Sequence, residues 1–293
     1  MFDDSRIIEY KKHLNKVRRA ANTIASYMRD ITKFADYLES CGKSDFDCAT
    51  NSDVKGFVSR LESIGRSPST IARCIASVRA FFNHMMADGT IRDNPTIEIS
   101  TTCTGKKTPP VLSGEEIERL LAQPDANTPK GSRDKAMLDT LYATGLRVSE
   151  LIGLDESDVN LATGLIKCRN GNERTIPVYP AAIASLSRYI GYGRREMAKT
   201  GETALFVNIS GGRMTRQGFW KILKHYSDEA CIEICITPQV FRNSFAAHLL
   251  ENGADIRSLQ ELLGHSDISS TRIYARAIKT RLKDVYNRTH PKA

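Results

Sequence analysis

Residues 165–178 read LIKCRNGNERTIPV. Leu165-Ile166-Lys167-Cys168-Arg169 and Arg174-Thr175-Ile176-Pro177-Val178 flank Asn170-Gly171-Asn172, so two short β-type runs meet at a turn triplet built around Asn-Gly. That pattern predicts a β-hairpin within a region of strand character from about Val159 to Val178. On both sides of it the apolar residues recur at three and four, the period of helices. The expected fold class is therefore mainly α with one small β-hairpin or sheet.

Working toward the N-terminus, Ile24, Tyr27, Met28, Ile31, Phe34, Ala35 and Leu38 mark one helix face, with Asn22 as the expected N-cap and Gly42 beyond its end. A second helix is expected after Asn51. A longer one should start at Ser67-Pro68 and bury Ile71, Ile75, Val78, Phe81, Phe82 and Met85 before Gly89. Residues 100–110, STTCTGKKTPP, have no periodicity and read as a linker. The chain thus divides into an N-terminal helical domain at 1–99, a linker at 100–110 and a second domain at 111–293. In the second domain Ser113 and Glu116 form a capping box, and a helix is expected from about Ser132 to Thr144, with Gly145 ending it. Toward the C-terminus, helices are expected after Thr237-Pro238, after Asp255, around Ser269 to Ala277 and from about Arg281.

The 293 residues suit two cores of ordinary size. No apolar run approaches the roughly 18 residues that span a bilayer, and the opening MFDDSRIIEYKKHLNK has no signal-peptide character, so a cytoplasmic protein with no membrane partner is expected. The formal charge is +8, which favours an anionic partner and nucleic acid above all. Through Thr104 there are 15 basic against 13 acidic residues; totals of 42 and 34 leave 27 against 21 beyond it, so the excess lies mostly C-terminal. Cys41, Cys48, Cys74, Cys103, Cys168, Cys231 and Cys235 are scattered with no CxxC pair, as expected of reduced thiols. Cys231 and Cys235 could share a helix face, but two further ligands for a zinc ion are missing. Neither metal nor cofactor is called for.

Four stretches belong together: ATGLRVSEL (Ala143 to Leu151), the hairpin, TPQVFRNSFAAHLL (Thr237 to Leu250) and LLGHSDISSTRIY (Leu262 to Tyr274). In this order and spacing, with Tyr274 nine residues after His265, the chain resembles the tyrosine recombinases, the Xer-type cellular enzymes in particular. The resemblance runs over essentially the whole chain to the closing His290-Pro291-Lys292-Ala293. It implies a SAM-like helical DNA-binding domain followed by a catalytic domain, and an enzyme that cleaves and rejoins DNA through a tyrosine-bound phosphate. The implied partners are a double-stranded recombination site and sister subunits, as a homotetramer or with a second recombinase.

The chemistry asks for these residue types. A phenol can hold the phosphate covalently and so conserve the bond energy for rejoining. Two guanidiniums can grip the non-bridging oxygens on which charge builds. The resemblance assigns Tyr274 as nucleophile, Arg147 and Arg242 as the guanidiniums and His265 as a phosphate ligand, while His248, set among Phe245, Ala246, Leu249 and Leu250, reads as structural. Two positions depart from the family pattern. Gln239 stands where a His or Lys is usual, and an amide can position a phenol without deprotonating it. Arg169 aligns with the lysine that protonates the leaving 5′ oxygen; Lys167, two residues earlier on the same strand face, is the preferred acid, with Arg169 on DNA. Lys106 and Lys107 in the linker are further expected DNA contacts. These departures keep a catalytically impaired accessory protein in view, and a type IB topoisomerase shares the same residue logic, although the Xer-like ends argue against it.

Overall fold

A computed structural model describes residues 5–99, 109–169 and 172–264, together with Asp267, Thr271 and Tyr274. The chain separates into two compact units, Met1–Lys106 and Lys107–Ala293.

Among its described residues the first unit has helices and no strand, its α-helices being α1 (Ser5–Lys16), α2 (Ala21–Ser40), α3 (Asn51–Ser63) and α4 (Pro68–Ala87). Its core is aromatic. Phe34 of α2, Phe57 of α3, Phe81 and Phe82 of α4 and Phe46 from the α2–α3 connection are essentially inaccessible and meet largely edge to face. The α4 start is as expected, with Ser67 Oγ accepting from the Thr70 N–H at 3.3 Å and Pro68 in the first turn. Two caps differ from expectation by one or two residues. Helix α2 follows Ala20 with no side-chain cap, which puts Asn22 inside the first turn. Helix α3 is capped by Thr50 and Asp53 reciprocally, and Asn51 instead donates to the Pro95 carbonyl at 3.1 Å.

The second unit wraps α6 (Pro129–Thr144), which is buried on nearly every side. Helix α5 (Gly114–Ala122) carries the expected Ser113–Glu116 capping box. Helix α6 starts three residues before its expected Ser132, because Thr128 Oγ1 accepts from the Gly131 N–H at 3.0 Å. Its polar opening escapes a pattern reading since Arg133 and Asp134, both buried, neutralise one another at 2.7 Å. After the four-residue helix α7 (Val148–Leu151), β1 (Val159–Asn160), β2 (Leu165–Cys168) and β3 (Arg174–Pro177) form an antiparallel sheet in that order, Lys167 opposite Thr175. The hairpin therefore gains a third strand.

Between the sheet and Thr237 lie three helices that the sequence reading passed over: α8 (Pro180–Arg188), α9 (Arg194–Met197) and α10 (Arg216–Glu229), the first two joined through a π-helical turn at Tyr189–Gly193. Helix α11 (Pro238–Glu251) is capped by Thr237, and α12 (Ile256–Leu263) by Asp255. Thr271 and Tyr274 are helical; the rest of the segment from 268, and the expected last helix, lie outside the described residues. Cys231 takes a left-handed backbone (φ +51°) just beyond α10, and Cys235 is in a loop, so the two share no helix face. The six described cysteines are free thiols, and no cluster of metal-ligating side chains occurs among the described residues. None of their helices is long and apolar enough to cross a membrane.

Candidate active site

Helix α6 stops at Gly145, whose positive φ of 58° reverses the chain and lets buried Leu146 turn inward. A Cβ at Gly145 would sit 2.3 Å from Phe245 Cδ1, so this turn lies directly on α11. Arg147 follows in extended backbone as the residue before α7. Its N–H donates to Glu150 Oε2 at 2.7 Å, and its Nη1 lies 3.2 Å from Glu150 Oε1 while the side chain stays 44% exposed.

Glu150 is the hub. It is buried, and Arg174 of β3 gives Nη1 to Oε1 at 3.0 Å and Nη2 to Oε2 at 3.1 Å. Arg242 Nη1 lies 3.9 Å from Oε2. Burial works against charge on this carboxyl, but the Arg174 hydrogen bonds, the Arg147 backbone N–H and both guanidinium charges hold it below the usual carboxylate range. Arg242, buried on α11, donates to the Gly145 carbonyl and, at 2.6 Å, to the Leu263 carbonyl. Burial, and then the neighbouring Arg147 charge, bring its pKa down to about 10, which leaves it cationic at neutral pH. An ionised Tyr274 would push that value up, so the phenol is within electrostatic reach of Arg242. Tyr274 itself is buried against Phe245, Ala246, Leu259 and Leu263.

Arg147, Gln239 and Arg242 line one cavity of about 530 Å³, which Arg216, Gln217 and Trp220 of α10 also face. Gln239 Nε2 donates to Asn243 Oδ1, one helical turn on, at 2.9 Å. Lys167 and Arg169 are not among the residues lining it; both are exposed, Lys167 on β2 and Arg169 just beyond its end. Lys167 Nζ is 2.9 Å from exposed Glu173, whereas Arg169 Nε is 2.6 Å from buried Asp158. His248 bridges the Tyr142 hydroxyl and the Leu112 carbonyl, each at 2.9 Å, a packing role as expected. His265, Lys106 and Lys107 lie outside the described residues.

The sequence reading missed Glu150 and Arg174, and both carried a signal. Glu150 is an acid between apolar Val148 and Leu151, three residues after an arginine. Arg174 falls, by strand alternation, on the same face as buried Ile176, where a charge needs a partner.

The comparisons with known proteins agree with this architecture. Residues 110–281 match the phage integrase family and residues 7–89 the phage integrase N-terminal SAM-like domain. The chain belongs to the phage integrase family, the tyrosine recombinases. It is 45% identical over 279 residues to the tyrosine recombinase XerD of Listeria innocua, covering 94% of each chain. Among solved structures it resembles XerA recombinase (TM-score 0.56, 26% identity, 98% and 97% of the two chains). It also resembles the XerH site-specific recombinase bound to palindromic difH substrate (TM-score 0.76, 22% identity, 94% and 83%), a likeness of fold. The chain is thus a tyrosine site-specific recombinase, with the expected SAM-like domain and catalytic domain.

Proposed function

We propose that this recombinase cleaves and rejoins duplex DNA through a 3′-phosphotyrosyl bond at Tyr274. The observation that carries the reading is the convergence of Arg147 and Arg242 on one cavity, with Tyr274 in electrostatic reach of Arg242. The Tyr274 oxygen attacks the phosphorus, the bond to the 5′ oxygen breaks, and the 5′ hydroxyl leaves with a proton. Arg147, Arg242 and His265 hold the non-bridging oxygens, where preorganised charge lowers the barrier most. Lys167 gives the proton: its ammonium is half-exposed and paired only at the surface, while Arg169 is anchored to Asp158 and can give DNA a fixed charge. Gln239 orients the site; the phenol proton goes to His265, another group or water. This chemistry draws on no cofactor.

In the same reading residues 1–99 bind DNA, 100–110 link with Lys106 and Lys107 on phosphates, and 111–293 catalyse. The enzyme works in the cytoplasm as a tetramer on two sites, because two duplexes offer four strands to exchange. The test is a nicked duplex carrying a half-site selected from random-sequence DNA by the protein itself. Wild type should become bonded to a 3′ phosphate, and Tyr274→Phe should bind the duplex equally well and form no adduct. Adducts persisting at wild-type level in the variant would remove Tyr274 from the role.

A further inference from the structure

Arg174 joins three segments that are far apart in sequence. From β3 its guanidinium spans both oxygens of Glu150, its Nε donates to the Leu262 carbonyl at 2.7 Å, and Nη1 also reaches the Asn172 carbonyl at 3.1 Å. The side chain is only 10% exposed, so it is placed to hold protein groups rather than to meet DNA. The next carbonyl along α12, that of Leu263, is the one held by Arg242. Two arginines that face the same carboxylate thus secure successive carbonyls at the end of this helix. Gly264 follows with φ +62°, and a Cβ there would meet Arg174 Nη1 at 2.8 Å, so the chain turns against the guanidinium itself. His265 is the next residue in sequence.

The charges explain what the clamp is for. Glu150 is a single buried anion with Arg147, Arg174 and Arg242 around it, so the group carries two net positive charges. With Arg174 forked across both carboxylate oxygens, Arg147 shares only Oε1, at 3.2 Å, and its side chain stays 44% exposed. Without Arg174 the carboxylate's only guanidinium partners among these three would be Arg147, already 3.2 Å from Oε1, and Arg242, 3.9 Å from Oε2, and each would have to loosen a tighter ion pair before gripping a phosphate. A lysine, with one point charge, cannot fork across both oxygens and reach the Leu262 carbonyl as well.

We infer that Arg174 is a positioning residue for strand cleavage, neutralising Glu150 so that the carboxylate holds Arg147 and Arg242 only loosely and leaves them available to the scissile phosphate, and fixing the helix end that leads to His265. This rests on the reading of those residues as phosphate ligands. The test is single-turnover cleavage of the nicked half-site duplex, with half-site affinity and the melting transition measured alongside. Arg174→Lys should bind the half-site within about twofold of wild type and form the adduct about a hundredfold more slowly, the scale of loss seen when a reacting group is misplaced. Arg174→Ala should be slower still and regain activity in millimolar methylguanidinium, which can enter through the cavity of about 450 Å³ that Arg174 lines. The same ion should leave wild type unchanged. Wild-type cleavage by Arg174→Lys overturns the inference, as does a parallel fall of binding, melting temperature and rate that methylguanidinium does not reverse. If Arg174→Ala fails to fold, the lysine variant decides alone. A wild-type protein that forms no adduct sinks the underlying reading instead, and this inference with it.

Discussion

The side-chain amide of Gln239 donates to Asn243 Oδ1 across 2.9 Å, so the residue standing where the family usually has a base is held by an amide one turn further along α11. Such a pair can orient a phenol or a phosphate but offers no group that titrates near neutrality. Gln239→His should supply one, since Asn243 Oδ1 can accept from one ring nitrogen and leave the other facing the cavity. Adduct formation at pH 7 should rise by about a hundredfold, the lower range for a positioned base, and acquire an acid limb near pH 6.5. Rate and pH profile identical to wild type would mean that the phenol proton does not leave in this direction.

The two candidates for the general acid differ in what holds them. Lys167 pairs with an exposed carboxylate and can swing away, whereas Arg169 is tied to buried Asp158. A substrate with sulfur at the 5′-bridging position supplies a leaving group that hardly needs a proton. Lys167→Ala should cleave ordinary DNA at least a hundredfold more slowly and the sulfur substrate at close to the wild-type rate. Rescue of Arg169→Ala but not of Lys167→Ala would reverse the assignment.

The elements that surround this site differ in how far the sequence reveals them. The α4 stripe, the Ser113 capping box, the pairing of β2 with β3 and the Gly145 stop were legible because each is a local rule with a local signal. Helix α6 was misplaced at its start because Arg133 and Asp134 cancel as a buried pair, which no hydrophobic period can register. Helices α8 to α10 went unread although α10 lines the cavity. Arg147 and Arg242 were visible through resemblance; their shared carboxylate was not, because the Glu150–Arg174 contact joins residues 24 positions apart through tertiary packing.

The depressed pKa of Glu150 makes the second unit sensitive to acid. A carboxyl whose folded value lies below its unfolded value, about 4.3, contributes stability above that value and loses it as pH falls through the folded value. Glu150→Gln should therefore cost about 3 kcal/mol at pH 7, where three arginines lose their counter-charge, and the gap to wild type should narrow below about pH 4. Trp220, the single tryptophan, lies in this unit, so its fluorescence during urea unfolding follows the right transition. A gap independent of pH would contradict the electrostatic account.

Gly145 is required by its backbone and by what lies over it. Any L-residue at φ +58° is strained by about 1–2 kcal/mol, and the added Cβ would overlap the Phe245 ring. The Gly145 carbonyl is also a partner of Arg242. Gly145→Ala should lower the stability of this unit by about 2–4 kcal/mol, strain and overpacking together, and slow adduct formation more than it weakens half-site binding. A variant that melts like wild type would show that the turn can relax without Phe245 moving.

The C-terminal tail, which lies outside the described residues, supplies the last prediction. Leu282, Val285 and Tyr286 fall at helical spacing after Tyr274, giving the expected final helix an apolar stripe. If four subunits close on two DNA sites, one repeated head-to-tail contact is enough to join them, and this stripe is the candidate for it. Deleting residues from Arg281 onward should leave half-site binding by one subunit within about twofold, since the arginines and the N-terminal unit remain. Cooperative filling of a full site and strand exchange should both disappear. Gel shift with half and full sites separates the two effects, and light scattering on the protein–DNA mixture reports whether tetramers form. Tetramers and exchange surviving the truncation would show that the stripe packs on its own subunit and that the ring closes through another surface.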